Sequence, residues 1–277
     1  MKYFDGQFKG RGNLNLYYQG WLPTNEPKAI LMFVHGLAEH SGRYSNLVSY
    51  FVPRGYGIYG FDQRGHGKSD GVKGYVDQFS HFVDDLGIFL RLVYSRHHDV
   101  KTFLVGHSIG GTIATAYTIL HQDEFDGLIL TGATLSTPTD VSASIIFFAR
   151  ILSLIQPKVG LYVIDAEGIS RDMSVVKAYV HDPLVYRGKI RARLGVELIK
   201  AMGRVKRQIS EIHLPILVMH GTADRLSDPK GSEYLYQKAS SVDKTLNVYE
   251  GYYHEIFNEP GREQVLADVE SWLNFHV

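Results

Sequence analysis

One pentapeptide constrains this chain more than any other stretch: Gly106-His107-Ser108-Ile109-Gly110. Thr102-Phe103-Leu104-Val105 precedes it and reads as a buried strand, and Gly111-Thr112-Ile113-Ala114-Thr115-Ala116-Tyr117 follows it and reads as the start of a helix. A serine between two glycines at a strand-to-helix turn is the pattern of an exposed nucleophile. The reason is steric. Such a turn is tight enough to strain the backbone of its central residue, and bulky side chains at 106 and 110 would crowd neighbouring backbone. The helix N-terminus beneath Ser108 offers free N–H groups and partial positive charge, where an oxyanion would form. A glycine-rich turn with an incidental serine has the same letters, so the pentapeptide is a hypothesis that the rest of the chain must support.

The surroundings alternate between short apolar strands and helical stretches. Strands are predicted at 30–34, 56–61, 102–105, 128–130, 216–219 and 246–249, and helices at 45–52, 79–94 and 264–275. In the second helix Phe82, Leu86, Phe89, Leu90 and Val93 recur three and four apart, which is helical spacing. Continuous apolar strands between helices predict an α/β fold, a mostly parallel sheet covered by helices on both faces. Residues 13–19 alternate in polarity, as a more exposed antiparallel strand would.

The alternation breaks between about residues 136 and 212, where no convincing sheet strand lies. This segment reads as a helical cap, or lid, inserted into a core formed by 1–135 and 213–277. Its first part, 141–155, is very apolar, with Arg150 its only charge. It is too short to span a bilayer. Two readings stay open: a helix buried between cap and core, or a lipid-facing lid that walls an acyl channel.

Composition narrows the chemistry. The 277 residues contain 29 Lys plus Arg against 29 Asp plus Glu, so no excess of positive charge points to nucleic acid. Cysteine is absent, which excludes disulfides, thiolate catalysis and zinc-thiolate sites. The N-terminal residues lack the apolar stretch of a signal peptide, so the expected location is cytoplasmic, peripheral at membranes where the cap touches lipid or micelle surfaces.

A serine hydroxyl is a weak nucleophile and needs a base within reach, and the base needs an orienting partner. Where the serine sits at such a turn, the acid and then the histidine follow it in the chain. Asp224 fits the acid, because His220-Gly221-Thr222-Ala223-Asp224-Arg225 directly follows a predicted strand. Asp228 is its rival, and a turn-forming aspartate is the plain alternative. His254 fits the base: of 13 histidines it stands after the acid, after the last predicted strand, and close to Gly251. His220 reads as structural, and His97-His98-Asp99 resembles a metal cluster by composition only. The oxyanion hole is expected from two backbone N–H groups, those of Leu37 in His35-Gly36-Leu37 and of Ile109 after the nucleophile. Residues 61–70 are rich in glycine and charge but lack phosphate-loop spacing, and read as support for the oxyanion side.

With these residues placed, the chain resembles the monoacylglycerol lipase and lysophospholipase branch of the α/β-hydrolases. The likeness is carried by His35-Gly36-Leu37-Ala38-Glu39-His40-Ser41-Gly42-Arg43-Tyr44, by Asp62-Gln63-Arg64-Gly65-His66-Gly67-Lys68-Ser69, and by the segments holding Asp224 and His254. Within the cap it reduces to His181-Asp182-Pro183-Leu184-Val185. Ile109 stands where the branch often has methionine. The resemblance implies a serine hydrolase without cofactor or metal, with an apolar acyl channel under a mobile cap. The expected activity is hydrolysis of single-chain lipid esters, foremost monoacylglycerol. The alternatives are a lysophospholipase, a broader carboxylesterase or thioesterase, a peptidase, and a non-catalytic binding protein on the same fold. An epoxide hydrolase or dehalogenase would want aspartate at position 108. Whether the chain works as a monomer or a homo-oligomer stays open.

Overall fold

A computed structural model describes residues 1–136 and 143–277. Among these, eight strands form one sheet: β1 (Lys2–Lys9), β2 (Asn15–Leu22), β3 (Ala29–Val34), β4 (Tyr56–Phe61), β5 (Thr102–His107), β6 (Gly127–Thr131), and two late strands, β9 (Ile216–Gly221) and β10 (Lys244–Tyr249). Their order is β1-β2-β4-β3-β5-β6-β9-β10. All pairs from β4 to β10 are parallel, and β1 and β2 pair antiparallel at one edge. This is the mostly parallel α/β sheet that the alternation predicts.

Burial on both faces explains why the strands are continuous in apolarity. Along β3, Ile30, Met32 and Val34 join one core, while Ala29, Leu31 and Phe33 join the other. Successive side chains leave a strand in opposite directions, so a strand covered on both sides needs apolar residues at every position. The first core is closed by α2 (Ser80–Tyr94), α3 (Ile109–His121) and α7 (Pro229–Lys238), and the second by α1 (Ser45–Phe51) and α8 (Arg262–His276). β5 runs between β3 and β6, which places the Ser108 turn at mid-sheet.

Between β6 and β9 lie α4 (Ala143–Ile155), α5 (Met173–His181) and α6 (Ala192–Gln208). Residues 141 and 142 of the predicted first helix lie outside the described residues. α6 packs on both α3 and α4, and its Leu194, Ala201 and Val205 belong to the first core. Two findings correct the sequence reading. The N-terminal strand β1 was not expected, because residues 2–9 carry edge-strand polarity rather than an apolar run. And the segment between β6 and β9 holds a short antiparallel ribbon, β7 (Gly160–Tyr162) with β8 (Ile190–Arg191), separate from the main sheet.

Candidate active site

Ser108 occupies the sharp turn between β5 and α3 with φ 55 and ψ −123. Few non-glycine residues accept positive φ, so the turn must be over-determined by its surroundings. Its flanks show how. A Cβ on Gly110 would stand 2.1 Å from the Val34 carbonyl oxygen, and one on Gly106 would stand 2.7 Å from Gly111 Cα. Only glycine lets α3 approach the sheet this closely. The Ser108 hydroxyl lies 3.3 Å from the Thr134 hydroxyl, which lies 2.8 Å from that of Ser227.

His254 follows β10 and Asp224 follows β9, so both enter at the carboxyl ends of parallel strands, as Ser108 does. His254 Nδ1 is 2.7 Å from Asp224 Oδ2. A carboxylate only accepts, so the imidazole proton sits on Nδ1 and Nε2 is left with a free lone pair. The same Oδ2 lies 2.9 Å from His220 Nε2, while Oδ1 accepts the N–H groups of Leu226 (2.8 Å) and Ser227 (3.0 Å). Burial works against the Asp224 charge, but the two imidazoles outweigh it and hold the carboxyl far below the usual carboxylate range. Burial likewise opposes a charged His254, and the Asp224 carboxylate, aided by Glu255 and Glu39, overrides it, so the imidazole titrates above its ordinary value. Gly132, at φ +53, makes room for the ring: a Cβ there would lie 3.1 Å from His254 Nδ1. The His107 ring lies tilted beside that of His254, 4.7 Å between centroids, and burial followed by the repulsion of that neighbour holds its titration well below the ordinary imidazole value.

Leu37 lies in the loop after β3, and Ile109 is the first residue of α3, where an N–H has no intrahelical acceptor. Ser108, His254, Leu37 and Ile109 line one cavity of about 490 Å³, with Asp224 behind His254. The far walls come from the segment between β6 and β9, through Ala149, Leu161, Ile164, Ile190, Val196, Leu198 and Met202. The rival Asp228 is elsewhere: it caps α7 by accepting the Lys230 N–H at 3.0 Å. His97 bonds the Tyr59 hydroxyl at 2.7 Å.

Several residues at the site were not singled out by sequence reasoning. Arg43 places Nη2 2.9 and 2.7 Å from the two oxygens of Glu255 and Nε 3.4 Å from Glu39. Glu39 in turn accepts the Tyr44 hydroxyl and the Gly36 N–H. This buried cluster ties the loop of Leu37 to the loop of His254. Glu39 and Arg43 lie in the 35–44 segment, but nothing in sequence pairs them with Glu255, more than two hundred positions away. His220, set aside as structural, is a direct partner of Asp224. On the other side, Gln63 donates its N–H to His35 Nε2 at 2.9 Å, and Asp62 accepts the Ser41 N–H at 2.8 Å, so residues 61–70 do buttress the 35–44 loop.

The Hydrolase_4 family model, described as serine aminopeptidase, S33, matches residues 25–261. The chain is 35% identical to a monoacylglycerol lipase of Mycolicibacterium smegmatis over 98% of its own length and 96% of that protein. The crystal structure of Paleococcus ferrophilus monoacylglycerol lipase is 30% identical and superposes with a TM-score of 0.82 over the whole of both chains. A soluble variant of monoglyceride lipase from Saccharomyces cerevisiae, solved in complex with a substrate analog, is 26% identical with a TM-score of 0.88, covering 98% of this chain and 95% of that one.

Proposed function

The chain belongs to the Hydrolase_4 family of α/β-hydrolases, and from that premise we propose that it hydrolyses the ester of monoacylglycerols through an acyl-enzyme on Ser108. The observation that carries this is the His254–Asp224 pair, which opens with Ser108 onto an apolar cavity. Ser108 Oγ attacks the ester carbonyl while His254 Nε2 takes its proton, and Asp224 stabilises the imidazolium. The amides of Leu37 and Ile109 hold the oxyanion. His254 then protonates the departing glycerol oxygen. A water molecule repeats the sequence on the acyl-enzyme and releases the fatty acid.

Residues 136–212 act as the cap over a core of 1–135 and 213–277, and supply the acyl-binding wall. Phe147, Phe148, Ile151, Leu154 and Ile155 of α4 are exposed, as are Leu161 and Tyr162 at the cavity. A continuous exposed apolar patch marks an interaction surface. Ala149 of the same helix lines the cavity, so the exposed apolar residues around it support α4 resting on the membrane or micelle during substrate uptake. Among the described residues no helix is long and apolar enough to cross a membrane.

The family description names a peptidase. Binding a peptide's N-terminal ammonium takes a free carboxylate in the cavity. Glu39 and Glu255 do line it, but both are engaged by Arg43. The test is a panel of monoacylglycerols, lysophospholipids, diacylglycerols, short aryl esters and aminoacyl amides, with Ser108→Ala as control. Monoacylglycerol is expected to be turned over fastest. Preference for a lysophospholipid or an aminoacyl amide would overturn the substrate assignment, and full activity of Ser108→Ala would overturn the mechanism.

A further inference from the structure

We propose that the turn from Asp182 to Tyr186 braces the oxyanion loop, which makes Asp182 a positioning residue for the hydrolysis inferred above, on which this reading rests. The starting observation is backbone strain. Among the described residues only Asn13, Ala38 and Ser108 combine a side chain with positive φ. Ser108 is the nucleophile, and its strain is held by the sheet and α3. Ala38, at φ +68, follows Leu37, the cavity-lining residue whose amide is assigned to the oxyanion hole above. Alanine seldom adopts this left-handed conformation, so external contacts must hold it there.

Those contacts come from the cap. The Tyr186 N–H donates to the Ala38 carbonyl oxygen at 2.8 Å. Two residues on, His40 Nε2 stands 2.9 Å from Asp182 Oδ2. The tautomer is fixed, because His40 Nδ1 accepts the Gly42 N–H at 3.1 Å and leaves Nε2 to donate. Asp182 also shapes the turn that presents Tyr186. Its Oδ1 accepts the Leu184 N–H at 2.8 Å, and its carbonyl accepts the Val185 N–H at 3.2 Å. One side chain thus anchors His40 and closes the turn whose next N–H grips Ala38. A third contact reinforces the pair: the Arg43 guanidinium lies over the Tyr179 ring, 4.8 Å from its centroid. The cap therefore completes the oxyanion hole as well as covering the substrate, and the His-Asp-Pro-Leu-Val stretch at 181–185 has a role in the core's chemistry.

The brace makes a prediction that general destabilisation does not. Glycine takes the left-handed conformation freely. Ala38→Gly should therefore restore what loss of the brace removes. The assay uses p-nitrophenyl acetate, whose small acyl group requires little of the cap for binding. Asp182→Ala is expected to lower kcat about tenfold to a hundredfold, the scale of a misplaced catalytic contact, with KM within about twofold. Ala38→Gly in the Asp182→Ala background is expected to recover most of that loss. Thermal unfolding of each variant verifies that it is folded at the assay temperature. His40→Ala, which cuts the same bond from the core side, serves if Asp182→Ala does not fold, and should be rescued in the same way. Undiminished kcat in both single variants, or a loss that Ala38→Gly leaves unrepaired, would overturn the brace. A wild-type protein inert toward every ester would overturn the hydrolase reading and the brace with it, and shows itself before any variant is made.

Discussion

Two helices of this protein have the same length and are both apolar, yet they have opposite fates. α3 and α4 each run for 13 residues and are strongly apolar. α3 starts at the nucleophile turn and is buried along most of its length, with Ile113 and Ala114 fully enclosed. α4 exposes Phe147, Phe148, Ile151, Leu154 and Ile155, with Phe148 63% and Leu154 74% accessible. The apolar content of a helix thus does not decide its burial. α3 follows a central strand and must return across the sheet, whereas α4 leaves the sheet after β6 and meets mainly α6. One helix fixes the strained turn at Ser108; the other exposes apolar side chains to solvent.

Substitutions at the two helices should separate these roles. The largest effect is expected at the head of α3. Ser108→Ala should reduce kcat about a millionfold on micellar and soluble esters alike, and abolish labelling by a fluorophosphonate. Asp224→Asn, which unsettles the base serving that serine, should cost about 10⁴-fold in kcat. It should also move the acid limb of the pH profile. The base must be unprotonated, so kcat/KM falls as pH drops through the His254 titration. Asp224 raises that titration, so the wild-type midpoint should lie above the ordinary imidazole value of about 6.5 and move down in the variant. Little shift between the two profiles would sink the assigned pairing.

Within the helix bodies the contrast is one of stability against interfacial activity. Ile113→Ala removes a fully buried side chain and should destabilise the fold by about 2–5 kcal/mol in urea unfolding. The double substitution Phe147→Glu with Phe148→Glu should lower turnover of micellar monoacylglycerol about tenfold, because charge opposes insertion of the apolar face. Turnover of a soluble short ester should stay within about twofold, and equal loss on both substrates would assign α4 a packing role instead. The smallest effect is Phe148→Ala, expected to shift stability by less than about 0.5 kcal/mol, as for an exposed site. A cost comparable to that of Ile113→Ala would erase the distinction between the helices.

The core was legible because its constraints are local and strict. Strands buried on both faces need unbroken apolar runs, and the tight turn at Ser108 needs glycine on either side. The positions of Asp224 and His254 followed from the rule that loops at the carboxyl ends of parallel strands converge. The cap was less legible, since its ribbon is only a few residues long and its helices carry no strand period to frame them. The 141–155 stretch admitted burial or exposure equally, for hydrophobicity states a cost of meeting water without naming what will cover the surface. The Arg43 cluster, His220 and the brace from Asp182 were out of reach for a different reason. The first and the last join residues far apart in the chain, and spacing carries no record of such pairs; His220 is only four residues from Asp224, but their contact depends on how the turn after β9 folds back.

Sequence by itself determined the α/β alternation, the strained turn that presents Ser108, and the residue types able to complete its chemistry, because these depend on backbone sterics and side-chain period. Tertiary structure alone decided that Asp224 rather than Asp228 meets His254, that Glu39 and Glu255 share one arginine, that α4 faces outward, and that a turn in the cap holds Ala38 in place. Those outcomes depend on distances between remote segments, which exist only once the chain has folded.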